Sequence, residues 1–335
     1  MSDNGTQGTL VGDIGGTRAR FGVVDGRGDL VGVRILAASE YASLIEAASD
    51  YLAGFDREVR PRRGAIAVGG PVYDDNVRMT NRLWSFSVSE ACRALGLAEL
   101  EVMNDFIALA LATPDLSEEQ SRVIRAGQRI RDAPIAVVGA GTGLGVSALV
   151  PMDDQWLTLA TEGGHRDLAA ATDREWEIVK RLQHRFGRVS AERVLSGPGL
   201  VNLYEAICEL EGREPEAREP EGVVARALAG SCGVCQEAIE VFARQLGAVA
   251  ADLVLTYGAR GGLWLGGGVL QGMSTAFDAG RFEDGFLDKG RFRSYVEPVP
   301  VRLILDPTAA LRGASQALDA QLPVGIRATG PGVVS

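Results

Sequence analysis

Cysteine is scarce in this chain, with four residues (Cys92, Cys208, Cys232 and Cys235) in 335. A disulfide framework standing in for a hydrophobic core is excluded by that count. Basic charge is also short: 34 Lys plus Arg stand against 44 Asp plus Glu, a formal net charge of −10. Wrapping nucleic acid or lying on an anionic membrane needs a basic face, so neither is expected. Long apolar runs are lacking as well. The longest charge-free stretch, Ala133 to Met152, is broken by Pro134, Pro151, four glycines, Thr142 and Ser147, and reads as two strands around a turn. The opening Met-Ser-Asp-Asn-Gly has neither a basic segment nor an apolar one, so the expected address is the cytoplasm. No G-x-x-x-x-G-K-[ST] loop is present, which removes the P-loop NTPases.

What is present is a folded-protein composition, 46% hydrophobic and 23% charged, over a length that suits about two domains at roughly 150 residues each. Glycine is abundant at 43 residues, about 13% against a usual ~7%. Many of these glycines follow apolar runs directly. Thr9 to Asp13 leads into Gly15-Gly16-Thr17, after which Ala19 to Val24 resumes a strand pattern. The arrangement recurs about 125 residues later, as Ile135 to Gly139, then Ala140-Gly141-Thr142-Gly143, then Leu144 to Val150. Two such units imply two related halves.

Helical spacing is read at Tyr41 to Phe55, with Leu44, Ile45, Ala48, Tyr51 and Leu52 on one face, and at Asp173 to Phe186 through Trp176, Val179, Leu182 and Phe186. Ser87 with Glu90 fits a capping box. Further strands are expected at Gly64 to Val68, Leu100 to Met103, Gly261 to Leu265 and Val299 to Leu305. Interleaved strands and helices indicate an α/β fold with ligands at the carboxyl ends of strands. Gly212 to Gly222 reads as a solvated loop, and Gln321 to Ser335 as a mobile tail.

Several groups are placed for chemistry. Gly12-Asp13-Ile14-Gly15-Gly16-Thr17 sets a carboxylate beside a turn whose amides can face an anion, and Asp13 can hold hydrated magnesium. Gly139 to Gly145 repeats the turn. It is a poor dinucleotide fingerprint, because it runs into a strand and not a helix. Asn104 and Asp105 follow an apolar run, where a carboxylate can take a proton from a hydroxyl or simply cap a helix. Glu162-Gly163-Gly164-His165 offers an acid and one of two histidines to a polyhydroxylated ligand, whereas His184 reads as a surface residue. Cys232-Gly-Val-Cys235 has C-x-x-C spacing without the partners that complete a metal set. Gly266-Gly267-Gly268 is a third glycine turn after a strand.

Together these segments resemble the bacterial glucokinase family of the sugar kinase, heat-shock ATPase and actin superfamily. The matching blocks are VGDIGGTRARFGVVD (Val11 to Asp25), MTNRLWSFS (Met79 to Ser87), VMNDFIALA (Val102 to Ala110) and VVGAGTGLGVS (Val137 to Ser147). TEGGHRDLA (Thr161 to Ala169), VSAERVLSGPGLVNLY (Val189 to Tyr204), GGLWLGGGV (Gly261 to Val269) and EDGFLDKGRF (Glu283 to Phe292) complete them. They lie in family order between about Thr9 and Leu318. The resemblance implies a two-domain actin-like ATPase (ribonuclease H-like) fold with a cleft between domains: residues 1–110, with a C-terminal helix near 308–320 packing back, and residues 111–320. It implies ATP-dependent phosphorylation of glucose at the 6-hydroxyl, with Asp105 as general base. Asn104, Asp105, Glu162, His165 and Glu192 would contact the sugar. Gly12, Asp13, Gly15, Gly16, Thr17, Gly141, Thr142 and Gly143 would meet the phosphates, and Gly266, Gly267 and Gly268 the adenosine. Magnesium at Asp13 and a cytoplasmic homodimer are implied too. The alternatives are a kinase of another hexose, or a catalytically weak sugar-sensing regulator. Arg18 stands where the family usually has Asn, Thr161 where Gly is usual, and Arg166 where a smaller residue is common.

Overall fold

The computed structural model describes residues 8–56, 59–79, 84–273, 275–320 and 323–330. Its strands are β1 (Thr9–Ile14), β2 (Arg18–Val24), β3 (Leu30–Ala37), β4 (Arg63–Val68), β5 (Asn76–Arg78), β6 (Ser85–Ser87), β7 (Glu99–Asn104), β8 (Ser121–Arg125), β9 (Ile135–Ala140), β10 (Leu144–Met152), β11 (Gln155–Thr161), β12 (Gly262–Gly266), β13 (Val301–Ile304) and β14 (Ile326–Thr329). Its α-helices are α1 (Leu44–Ala53), α2 (Val88–Ala94), α3 (Asp105–Ala112), α4 (Asp173–Phe186), α5 (Gly197–Leu210), α6 (Pro220–Leu228), α7 (Gly233–Tyr257), α8 (Gly268–Gly272), α9 (Ala279–Leu287), α10 (Arg293–Val296) and α11 (Ala309–Ala317). The chain divides into one unit of Met1–Leu116, Pro151–Ala160 and Asp306–Ser335, and a second of Ser117–Val150 and Thr161–Leu305.

Two six-stranded sheets share one plan. The first runs β14-β7-β4-β1-β2-β3 and the second β8-β13-β12-β9-β10-β11. In each, a glycine-tipped antiparallel pair (β1 with β2, β9 with β10) is followed by two parallel neighbours of its first strand and closed by an antiparallel edge strand. The two strand–glycine–strand units of the sequence are therefore the matching corners of two matching sheets. The parallel strands β4, β9 and β12 are almost wholly buried, as strands covered on both faces must be.

Each unit has its own core. In the first, Phe21, Tyr51, Ile66, Leu100 and Val102 pack beneath α1 and α2. In the second, α7 is the central support, with Phe242, Leu246, Ala250 and Val254 buried on it. Close helix crossings depend on missing side chains. A Cβ at Gly313 of α11 would fall on the Ala108 carbonyl of α3, and one at Gly285 of α9 on the Arg244 carbonyl of α7.

Several sequence expectations shift. Helix α1 begins at Leu44, later than the spacing suggested, because the Ser43 hydroxyl accepts the Glu46 N–H (3.1 Å) while the Glu46 carboxylate accepts the Ala42 N–H (2.6 Å). The buried face of α4 is Glu175, Ile178 and Leu182, with Trp176 exposed. Glu175 is drawn inward because its carboxylate caps the Ala171 and Thr172 amides and pairs with Arg244 at 2.7 Å. The loop read to Gly222 ends at Pro220, which opens α6. The segment Gln321 to Ser335, read as a tail, supplies edge strand β14 in its described part. Glu101, fully buried on β7, accepts the Val324 and Gly325 amides (2.7 and 3.0 Å) and pairs with Arg327 (Nε 2.7 Å), fastening that strand. Of the family-like block Met79 to Ser87, residues 80–83 lie outside the described residues.

Candidate active site

In the first unit the parallel strands β1, β4 and β7 end level with one another: Ile14 is in register with Val68, and Val68 with Asn104. Two strand spacings, roughly 10 Å, thus separate the carboxyl end of β1 from that of β7. Asp13 stands at the first end. About a fifth of its side chain is exposed, and its Oδ2 accepts Arg20 Nη1 at 2.8 Å. Arg20, reaching from β2, also donates to the Pro307 carbonyl at 3.1 Å. The enclosed position pushes the Asp13 carboxyl above its ordinary 3.8, and the Arg20 charge opposes that rise without cancelling it.

At the other end, Asn104 is the N-cap of α3. Its side-chain oxygen accepts the Phe106 N–H (2.8 Å) and its amide donates to the Gly70 carbonyl (3.1 Å). Asp105 follows as the first helical residue, at the positive end of the helix dipole, and Oδ1 accepts the Phe106 N–H at 3.1 Å. The capping reading of this pair therefore falls on Asn104. A Cβ at Gly69 would lie 3.7 Å from Asp105 Oδ2, and the Gly69 amide donates to the Ile14 carbonyl (3.0 Å). Asp105 therefore lies close to Gly69, whose amide in turn holds the end of β1.

The turns are tighter than free anion cradles. The Gly15 N–H donates to the Arg18 carbonyl (2.9 Å), and the Gly141 N–H to the Gly143 carbonyl (2.8 Å), so both amides close their own turns. The exposed tips of the two turns are Thr17 and Thr142. Gly12 is buried in β1, where a Cβ would stand 3.2 Å from Ile66, so its lack of a side chain serves packing. Arg18 is exposed at the start of β2.

The second unit collects the remaining candidates. Gly139 of β9 is in register with Gly266 of β12, so the second and third glycine turns leave adjacent strand ends. Gly267 has φ +93°, and a Cβ there would lie 2.3 Å from the Ala140 carbonyl oxygen; the position admits only glycine. Glu192 accepts the Leu144 N–H (2.9 Å), immediately after the second turn. Its other carboxylate oxygen lies 3.8 Å from His165 Nδ1, while Glu162 Oε2 lies 4.0 Å from His165 Nε2. Gly164 makes this cluster possible, since a Cβ on it would overlap the Leu144 carbonyl. His165 is more than half exposed and Glu162 nearly so.

Sequence reading missed the supports. Arg166, noted as unusual, reaches Asp252 on α7 (3.1 and 3.2 Å), and Asp252 also takes Lys289 at 2.6 Å. Spacing of an i to i+86 contact is invisible along the chain. Arg20 was likewise unremarked, although its alternation with Asp13 across an antiparallel pair was readable. Cys232 and Cys235 sit at the start of α7, and among the described residues no three His, Cys, Asp or Glu gather as a metal site. A cavity of about 210 Å³ lies in the first unit between Trp156, Leu157, Pro323 and Val324, and none of the candidate site residues line it. No described helix is long and apolar enough to cross a membrane.

Paired sheets with glycine-tipped corners, carboxylates at strand ends and a Glu–His–Glu cluster define a sugar-kinase class of α/β protein, and solved neighbours agree. The structure of glucokinase from an Antarctic psychrotroph superposes with TM-score 0.83 at 38% identity, covering 93% of this chain and 99% of that one. Glucokinase from Balamuthia mandrillaris, solved in complex with glucose, shares the fold at TM-score 0.77 and 17% identity, covering 94% of each. The family described as Glucokinase matches residues 10–321, and this chain belongs to it. Glucokinases of Nitrobacter hamburgensis and Aromatoleum aromaticum are each 47% identical to it, over 91% and 92% of this chain and 95% and 94% of theirs.

Proposed function

We propose that this chain transfers the γ-phosphoryl group of ATP to the 6-hydroxyl of glucose, on an actin-like ATPase fold. The observation that carries the reading is Glu192, which holds the amide after the second glycine turn and at the same time stands beside His165 and, through it, Glu162. One carboxylate thereby couples a sugar-type hydrogen-bonding cluster to a phosphate-type turn.

In the proposed reaction Glu162 and Glu192 accept bonds from sugar hydroxyls, while Asn104 and His165 donate. Asp105 takes the proton of the 6-hydroxyl as its oxygen attacks the γ-phosphorus and the bond to the bridging oxygen breaks, releasing ADP. Gly15, Gly16, Thr17 and Gly141 to Gly143 meet the phosphates, and Gly266 to Gly268 face the adenosine. A magnesium ion held on the phosphates needs only one or two protein carboxylates and its own waters, and Asp13, tethered through one oxygen, suits that demand. Such an ion neutralises charge on the transferring oxygens. Family membership also supports a cytoplasmic homodimer.

The test is coupled ADP release with ATP and magnesium across glucose, mannose, fructose, N-acetylglucosamine and no sugar. Strong glucose-dependent turnover is expected. Preference for another sugar would reassign the substrate, and tight glucose binding without turnover would make the chain a sensor. Asp105→Asn is expected to lower kcat by on the order of 10²- to 10⁴-fold while glucose binding stays within about tenfold. Near-normal turnover of that variant would remove Asp105 from the role of base.

A further inference from the structure

The phosphoryl-transfer reading makes no use of Cys232 and Cys235. Cys232 is the N-cap of α7, and its sulfur accepts the Cys235 N–H at 3.2 Å. The two cysteines occupy the N-cap and third helical positions, one turn apart. Three residues at a rise of about 1.5 Å each put their Cα atoms about 5 Å apart, inside the 4.4–6.8 Å range that a disulfide spans. The two sulfurs lie close enough to influence each other's ionisation. Exposure differs between the two: Cys232 is half-buried beside the exposed run Ala229–Ser231, whereas Cys235 is fully buried. Arg226, on the last turn of α6, sets a positive charge near both sulfurs.

We propose that Cys232 and Cys235 form a reversible dithiol–disulfide pair whose oxidant is a hydroperoxide, with Cys232 as the attacking sulfur and Cys235 as the resolving one. The helix N-terminus and Arg226 both favour negative charge on Cys232. Burial works against ionisation of Cys232, but the neighbouring Cys235, the helix-start amides and Arg226 together outweigh it and lower that thiol, while burial and the neighbouring sulfur push Cys235 up to about 12. The chemistry balances in two steps. The Cys232 thiolate attacks one peroxide oxygen, the O–O bond breaks, and Cys232 becomes a sulfenic acid as the other oxygen leaves as hydroxide and is protonated to water. The Cys235 sulfur then attacks Cys232, expelling the sulfenic hydroxyl, which departs as water with the Cys235 proton. In total, two thiols lose two electrons and hydrogen peroxide becomes two waters. A dithiol reductant reverses the change by exchange.

Cys208, on α5, lies near enough to interact electrostatically with both and is the competing partner. Its sulfur is engaged by the Tyr204 hydroxyl and burial raises its thiol, so it is the weaker candidate to resolve Cys232.

The test treats the intact protein with one equivalent of hydrogen peroxide without denaturant, followed by thiol titration and peptide mapping. The expected result is loss of two of the four thiols, a mass decrease of two hydrogens, a Cys232–Cys235 linkage and full recovery with dithiothreitol. Cys232 should react at least about tenfold faster than Cys92 or Cys208. Cys232→Ser, whose hydroxyl can replace the sulfur as N-cap acceptor, should abolish the linkage without loss of fold. Cys235→Ala should leave a sulfenic acid on Cys232 that dimedone traps. A linkage to Cys208, or four thiols oxidising at similar rates, would overturn the proposal.

Discussion

Substitution of adjacent glycines in the third turn separates a backbone requirement from a ligand requirement. Gly267 holds φ +93° and ψ 149°, a region essentially closed to side-chain-bearing residues, at a cost of about 1–3 kcal/mol. Alanine there also sets a Cβ at 2.3, 2.6 and 2.9 Å from the oxygen, carbonyl carbon and nitrogen of Ala140. Those are backbone atoms of a central strand and cannot rotate aside, so overpacking adds roughly 1–3 kcal/mol. Gly267→Ala is therefore expected to destabilise the second unit by about 2–6 kcal/mol, lowering its melting transition by roughly 5–15 °C. At Gly268 a Cβ meets nothing within 4 Å, and the position is helical. Gly268→Ala should leave the transition within about 1 °C. If adenosine lies on this turn, it should nevertheless raise the KM for ATP. Calorimetry of both variants, with ATP kinetics on the folded one, reads the two effects separately. A Gly267→Ala protein that melts with the parent would refute the steric argument, and a Gly268→Ala protein with unchanged KM would remove the adenosine from this surface.

Three other outcomes are expected. Glu101→Ala strands two amides and Arg327, whose side chain is about a quarter exposed, so the cost should be about 2–4 kcal/mol in urea unfolding of the first unit. Because the Asp13 carboxyl is raised in the folded state, the fold holds that proton to higher pH than the unfolded chain does. Stability contributed there falls as pH rises from near 3.8 through the raised value, and Asp13→Asn should flatten that part of a stability–pH profile. Asp252→Asn loosens Arg166 beside the His165 loop. It should raise the KM for glucose on the order of three- to tenfold with little change in the KM for ATP, and equal changes in both would argue against a local effect.

Legibility followed the range of the interactions. Helix α4 was readable to the residue at both ends, because Thr172 and Glu175 form a reciprocal capping box and Gly187 stops the helix; these signals act within four residues. Its apolar face holds at Val179, Leu182 and Phe186 but not at Trp176, which is exposed where Glu175 is drawn inward by Arg244, 69 positions away. Strand β14 was unreadable, since nothing in Ile326–Thr329 marks it apart from the charge that Glu101 accepts from 226 positions earlier.

By itself, then, the sequence determined the alternation of strands and helices, the paired glycine corners and the polar residues at strand ends, all properties of local backbone and side-chain chemistry. Only the tertiary structure decided that Asn104 is the N-cap of α3, with Asp105 sharing the Phe106 amide from the first helical position. The same holds for Glu192 joining the second turn to His165, Arg20 claiming one oxygen of Asp13, and the C-terminal segment becoming an edge strand. Each of these depends on sheet register and on which carboxylate lies within hydrogen-bond reach of which amide, and those distances exist only once the chain has closed on itself.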